Sequence, residues 1–299
     1  MRQPPFSGTG VALVTPFHEN KAIDYPTLEK LIEYVIEGGV DFIVSLGTTG
    51  EAITLSSQEC REVLDFTIKV ANGRLPIVAG LFGSNYTEKL VNSLKSYNFN
   101  GIDAIMSSSP AYSKPSQEGI FQHYMAVAKA SPVPIIIYNV PGRTSSNVAS
   151  ATTLRLAHAS DKFIAVKEAS GDLMQAMKIL KDKPARFQVW SGDDALTLPM
   201  ISCGATGVIS VIANAFPEQF SGMVRNARSG NWEKARQLNN ELLDIHPWLY
   251  VDGNPSGIKA AMEILGLCRQ DLRIPLTPVT EATYERLKKE VGKVSSLVN

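Results

Sequence analysis

Eight short apolar runs, each followed by a helical pattern, constrain this chain more than any other feature. They fall at 11–15, 42–46, 77–81, 102–106, 135–138, 163–167, 187–190 and 208–212. Continuous apolar runs of this length, bounded by small or polar residues, read as parallel strands buried on both faces. Between the first two, Leu28, Leu31, Ile32, Val35 and Ile36 recur at helical spacing, with Glu29, Lys30, Glu33 and Glu37 off that stripe. The pair Gly38-Gly39 closes this helix. After the second run, Cys60, Val63, Leu64, Thr67 and Ala71 repeat the pattern. Strands that start roughly 20–35 residues apart, each followed by a helix, predict an α/β chain of the (β/α)8 TIM-barrel class in about 230 residues. A doubly wound open sheet uses the same alternation, but Thr15-Pro16-Phe17 stands where a dinucleotide glycine fingerprint would follow the first strand. From about Asn231 the strand pattern stops, and 232–245, 256–265 and 280–291 read as helices, with Pro275 and Pro278 before the last. The expected organisation is a catalytic barrel over 1–230 and a C-terminal helical appendage over 231–299.

Charge and cysteine usage narrow the functional classes. The 29 basic residues balance 29 acidic ones in a chain of 299, so no overall field favours a nucleic acid or a membrane surface. Cys60, Cys203 and Cys268 are far apart and odd in number, which gives neither a metal-ligand spacing nor a disulfide framework. The opening run Met1-Arg2-Gln3-Pro4-Pro5-Phe6 leads into no apolar stretch of signal length, and the expected location is the cytoplasm.

Barrel enzymes carry their chemistry at the C-terminal ends of the strands, and polar residues gather there in this sequence. The sixth run, Phe163-Ile164-Ala165-Val166-Lys167, ends in an amine. An amine in apolar surroundings loses hydration, which favours the neutral nucleophilic form that a Schiff-base lysine needs. A structural salt bridge with Glu168 is the competing reading. The run Gly47-Thr48-Thr49-Gly50-Glu51 offers hydroxyls and backbone N–H groups to a small carboxylate, with a helix expected just beyond it; a helix-capping turn is the alternative. Tyr138 ends an otherwise aliphatic strand, either as a proton donor beside Lys167 or as a buried tyrosine with an ordinary hydrogen bond. Arg143, after a Pro-Gly turn, can clamp a carboxylate with two parallel bonds or can simply be solvated. Asp193 and Asp194 have no histidine or third carboxylate nearby, so a helix N-cap explains them better than a metal.

Three segments together, Gly47-Thr48-Thr49-Gly50-Glu51, Tyr138-Asn139-Val140-Pro141-Gly142-Arg143-Thr144 and Lys167-Glu168-Ala169-Ser170-Gly171, resemble the pyruvate-dependent Schiff-base aldolases. Within that superfamily, which includes N-acetylneuraminate lyase, the chain is most similar to the dihydrodipicolinate synthases. The similarity extends over essentially the whole chain, including Leu272-Arg273-Ile274-Pro275-Leu276-Thr277-Pro278. Arg143 is the telling residue, because the sialic-acid lyases lack it in that setting.

The resemblance implies an enzyme that condenses pyruvate with L-aspartate 4-semialdehyde to 4-hydroxy-tetrahydrodipicolinate, in the diaminopimelate and lysine pathway. Lys167 would form the imine, and Tyr138, Thr49 and Tyr112 would relay protons, Tyr112 reaching into a neighbouring subunit. Thr48 and Thr49 would hold pyruvate's carboxylate and Arg143 that of the aldehyde, while Gly192 and the Ile209 carbonyl line the pocket. No metal or organic cofactor is implied, since the covalent pyruvate imine on Lys167 supplies the electron sink. The implied assembly is a homo-oligomer, a dimer of dimers. Two alternatives stay open: a sister 2-keto-acid or N-acetylneuraminate-type aldolase, and a non-catalytic pyruvate-binding protein. The resemblance also marks a departure. Lysine-sensitive members carry a serine, two histidines and a tyrosine around an effector pocket; here Ala52, Ser57, Cys60 and Ala111 take those places. Lys89, or Glu88 with a shifted alignment, takes the place of the ammonium-binding glutamate, and Asn85 remains. Insensitivity to L-lysine is the expectation.

Overall fold

The computed structural model describes residues 6–296; the first five residues of the opening run and the last three of the chain lie outside the described residues. Eight parallel strands close into one barrel in sequence order: β1 (Gly8–Ala12), β2 (Phe42–Ser45), β3 (Ile77–Ala79), β4 (Ala104–Ser108), β5 (Ile135–Asn139), β6 (Phe163–Glu168), β7 (Gln188–Ser191) and β8 (Gly207–Ser210). Strand β8 pairs back onto β1, so no edge remains. The helices are α1 (Tyr25–Glu37), α2 (Ser57–Ala71), α3 (Thr87–Ser96), α4 (Gln117–Ala130), the short α5 (Pro141–Thr144), α6 (Ser150–Ala159), α7 (Leu173–Asp182), α8 (Thr197–Ser202) and α9 (Pro217–Arg228). Beyond the barrel come α10 (Trp232–Leu243), α11 (Ser256–Ile264) and α12 (Glu281–Ser296). Among the described residues no helix is long and apolar enough to cross a membrane.

The eight predicted strands are all present, and their limits shift for identifiable reasons. Strand β1 begins at Gly8, three residues before the apolar run. Its glycines hide it from a reading by hydrophobicity, yet Gly10 is required, because a Cβ there would lie 2.1 Å from the Phe42 ring. Strand β4 runs two residues later than predicted, to Ser108. Helix α2 does not start directly after Gly50: a 3-10 turn, Ala52–Thr54, intervenes. The helix then opens on a capping box in which Ser56 accepts from the Glu59 N–H and Glu59 accepts from the Ser56 N–H.

Alternation along the strands separates two apolar layers. Val11, Ile43, Ile105, Ile137, Val166 and Val208 face the helices and join their buried stripes. Phe42, Val78, Met106, Ile136, Ala165 and Trp190 face inward and fill the barrel. At one level Phe6, Phe42 and Trp190 pack ring against ring, with centroids 5.3–6.2 Å apart. Lys167 follows Ala165 by two residues on β6, so the same alternation turns its side chain inward, toward the C-terminal mouth.

Candidate active site

A cavity of about 980 Å³ opens at that mouth, and its wall includes Thr48, Thr49, Tyr138, Arg143, Lys167 and Gly192. Six of the eight residues singled out in the sequence therefore meet in one place, drawn from the ends of β2, β5, β6 and β7. Tyr112 and Ile209 stand elsewhere. Tyr112 is 91% exposed, on a left-handed backbone (φ +67°) anchored by its N–H donating to the Thr144 carbonyl. Ile209 is fully buried in the inner layer, and Val211 forms the cavity wall at that side.

Lys167 is buried, and among the described residues it makes no ion pair. Its Nζ lies 4.6 Å from the centroid of the Tyr138 ring, across the Tyr138–Lys167 pair of β5 and β6. The salt bridge with Glu168 does not form, because adjacent strand residues point to opposite faces. Glu168 instead accepts from Asn139 Nδ2, Ser170 N and Gln175 Nε2 on the helix side. Gly192 leaves room for the amine: a Cβ there would lie 3.1 Å from both Cγ and Cε of Lys167 and 2.5 Å from Ala169 Cβ.

The Thr48-Thr49 turn is held from three sides. The Gly50 N–H donates to Gly47 O and the Glu51 N–H to Thr48 O, and Thr15 Oγ1 donates to Gly50 O at 2.7 Å. Leu46 and Glu51 flank it with φ of +61° and +56°, conformations that persist only where the surroundings fix them. For Glu51 the fixing group is Lys259. Its Nζ lies 2.5 Å from Glu51 Oε1, both side chains are wholly buried, and Arg273 N donates to Glu51 Oε2. Burial, opposed by Glu51, lowers the Lys259 pKa from its ordinary value. Among the described residues neither Thr48 nor Thr49 donates its backbone N–H to another protein group, so two donors remain for an anion.

The C-terminal region supplies wall residues that sequence reasoning missed. Asn254 donates from Nδ2 to Thr49 Oγ1 at 3.0 Å, and its carbonyl accepts from Arg143 Nη2 at 3.2 Å. Tyr250 and His246 also line the cavity. Tyr250 is 40% exposed as a residue, and burial first, then Asp194 and Asp193, raise its pKa. Asp194 does not cap α8. Its Oδ2 accepts from the N–H groups of Val211 and Ile212, which ties β7 to the turn after β8. Burial raises the Asp194 pKa against the pull of His246 and those amides, and burial lowers that of His246. Asp193 accepts from Ala195 N, two residues before α8 begins.

A second cavity, of about 830 Å³, shares Thr48, Tyr138 and Arg143 with the first. Ala52, Ser57, Cys60, Asn85, Lys89 and Ala111 all line it. Glu88 is not in this wall; its carboxylate accepts from the Tyr86 hydroxyl.

The profile of the dihydrodipicolinate synthetase family matches residues 5–294 of the chain. The 4-hydroxy-tetrahydrodipicolinate synthase of Parabacteroides distasonis is 48% identical over 288 residues, covering 96% of this chain and 97% of the relative. Among solved structures, the Aquifex aeolicus dihydrodipicolinate synthase superposes with a TM-score of 0.92 at 37% identity, covering 97% of this chain and 98% of the other. The chloride-inhibited Acinetobacter baumannii enzyme, solved in complex with pyruvate, gives 0.93 at 38% identity, with coverages of 97% and 99%. Sequence and shape agree along nearly the full length: this chain belongs to the dihydrodipicolinate synthetase family.

Proposed function

We propose that this chain catalyses the 4-hydroxy-tetrahydrodipicolinate synthase reaction through an imine on Lys167. The Lys167 amine attacks the keto carbon of pyruvate, and loss of water leaves the imine. The imine acidifies pyruvate's methyl group, and removal of a proton gives an enamine. Tyr138 carries that proton, with Thr49 and Tyr112 of the partner subunit completing the path. The enamine carbon attacks the aldehyde of L-aspartate 4-semialdehyde, whose carboxylate pairs with Arg143. The amino group of that substrate then closes onto the imine carbon, expelling the Lys167 amine and releasing the heterocycle. Pyruvate's carboxylate rests on the Thr48 and Thr49 hydroxyls and backbone N–H groups, beside Gly192. The Ile209 carbonyl helps to orient the lysine.

The observation that carries this reading is a buried Lys167 amine at a cavity wall, without an ion-pair partner among the described residues and with the centroid of a phenol ring 4.6 Å away. The exposure of Tyr112, away from its own cavity, supports a dimer as the smallest competent unit; the dimer of dimers rests on the resemblance to the family. The region 231–299 acts as part of the active-site rim, not as a domain with a separate activity. A direct test compares pyruvate plus L-aspartate 4-semialdehyde with pyruvate plus N-acetylmannosamine. Turnover with the first pair alone supports the reading; turnover with the second pair alone assigns the chain to the sialic-acid branch.

A further inference from the structure

Strands β5 and β6 do not pair in simple register. Ile135 faces Phe163 but Ile136 faces Ala165, so Ile164 is an extra residue on β6. Because side chains alternate, a slip of one residue sends every later side chain to the other face. Beyond the slip, Tyr138 faces Lys167 and Asn139 faces Glu168. The first pair points to the cavity, and the second points to the helix layer.

That outer pair is the centre of a closed polar network. Glu168 is 3% exposed and Asn139 is fully buried. Asn139 Nδ2 lies 3.1 and 3.0 Å from the two Glu168 carboxylate oxygens, and Gln175 Nε2 and Ser170 N add bonds of 3.0 and 2.8 Å. No cation is among these partners. Asn139 Oδ1 accepts from the Val148 N–H, and Asn147 bridges Asn139 and Gln175. A buried acceptor-only carboxylate is tolerated only when its oxygens are met by donors. The Ser170 N–H travels with Glu168, but a slipped register would take Glu168 away from the Asn139 amide on β5.

We propose that Glu168 and Asn139 are positioning residues of the reaction: their clamp sets the register of β6 against β5 and so holds the Lys167 amine beside Tyr138. This rests on Lys167 being the imine-forming residue. The Lys167 side chain itself is held by no hydrogen bond or ion pair among the described residues, so its strand must supply the precision. Displacing a reacting group by about 1 Å costs on the order of a hundredfold in rate.

The test is a swap cycle in the full chain. Glu168→Gln sets an amide among donors, and Asn139→Asp sets a second carboxylate against the first; together they restore a donor–acceptor pair with the roles exchanged. Gln175→Met removes one donor to Glu168 and the two bonds to Asn147 but keeps the Asn139–Glu168 pair, and serves as the mild variant should either single substitution fold poorly. Borohydride with pyruvate counts competent sites, timed quenching gives the imine-formation rate, and turnover is expressed per trapped site. The expected result is a fall of at least about tenfold in imine rate and turnover per site for each single variant. Pyruvate KM should move less than about threefold, with recovery to within about threefold in the double variant and a fall of about two- to fivefold for Gln175→Met. Wild-type rates per trapped site in folded variants, with only the melting temperature lowered, overturn the proposal. So does a folded double variant with no recovery. An adduct on a different lysine in the unmodified protein would instead overturn the reaction assignment.

Discussion

Asn254 Nδ2 donates to Thr49 Oγ1 at 3.0 Å, joining a loop of the C-terminal region to the turn after β2 across 205 residues of sequence. With one lone pair engaged, the Thr49 hydroxyl must direct its own proton elsewhere, and the cavity is the free side. The same residue's carbonyl holds Arg143. One loop thus orients the group proposed for proton transfer and the group proposed to bind the second substrate.

Replacing Asn254 by Ala should therefore slow the reaction more than it weakens binding. Loss of one side-chain hydrogen bond to a reacting hydroxyl is expected to lower kcat about tenfold, near 1.4 kcal/mol. Steady-state kinetics at saturating pyruvate measure this. An unchanged kcat with a raised pyruvate KM would mean that Asn254 serves binding alone.

Arg143 should act on the aldehyde and hardly on pyruvate. Arg143→Ala is expected to raise the KM for L-aspartate 4-semialdehyde, with a loss of about 2–4 kcal/mol in kcat/KM. Borohydride trapping of pyruvate by the same variant should remain near wild type. Unchanged aldehyde kinetics would return weight to a sister aldolase.

How far the sequence foretold this architecture depends on the range of the interaction. Strand alternation is local and appears directly as apolar runs; strand limits escaped where glycine replaces apolar residues, as at Gly8 and Gly10, and where serines carry β4 on to Ser108. Lys167, Tyr138, Thr48, Thr49, Arg143 and Gly192 were legible because barrel geometry sends every strand end to one mouth. Asn254 was not, since nothing in Gly253-Asn254-Pro255 announces a contact with position 49. The Glu51–Lys259 pair was hidden for the same reason, 208 residues apart. Asp194 misled because a carboxylate just before a helix suggests a cap, whereas the fold brings it to the amides of Val211 and Ile212.

Acid should weaken the fold in two steps. Hydrogen bonds from Arg273, with help from Ser56 and against burial, hold Glu59 at a pKa of about 2, below its ordinary 4.5. Burial lowers His123 to about 4 from 6.5. Both folded pKa values are depressed, so the folded state binds fewer protons in those windows. Stability is full above about pH 6.5, falls toward pH 4 as His123 charges, and falls again from 4.5 toward 2 as Glu59 is protonated. The Glu59 side chain is 28% exposed, and solvent screening limits its share to about 1–2 kcal/mol. Urea unfolding of Arg273→Ala across this range should shrink the lower step, to which Glu33, Glu118, Asp252 and Asp271 also contribute, and keep the upper one; an unaltered lower step would remove Arg273 as a cause.

Free L-lysine at millimolar concentration should leave the rate unchanged. At Ala52, Ser57, Cys60 and Ala111 the second cavity offers a lysine ligand no imidazole and no aromatic side chain. Lys89 faces it, and Glu88 does not. A bound ammonium would meet a like charge and leave polar groups unpaired, a cost of several kcal/mol. Initial rates with both substrates near KM check this, and clear partial inhibition below about 1 mM would contradict it.

Borohydride reduction in the presence of pyruvate, followed by peptide mass spectrometry, shows whether Lys167 is the covalent centre. One reduced pyruvate adduct per chain is expected, on the peptide containing Lys167, and none in Lys167→Ala. An adduct on another lysine such as Lys259, or turnover without any adduct, would contradict it.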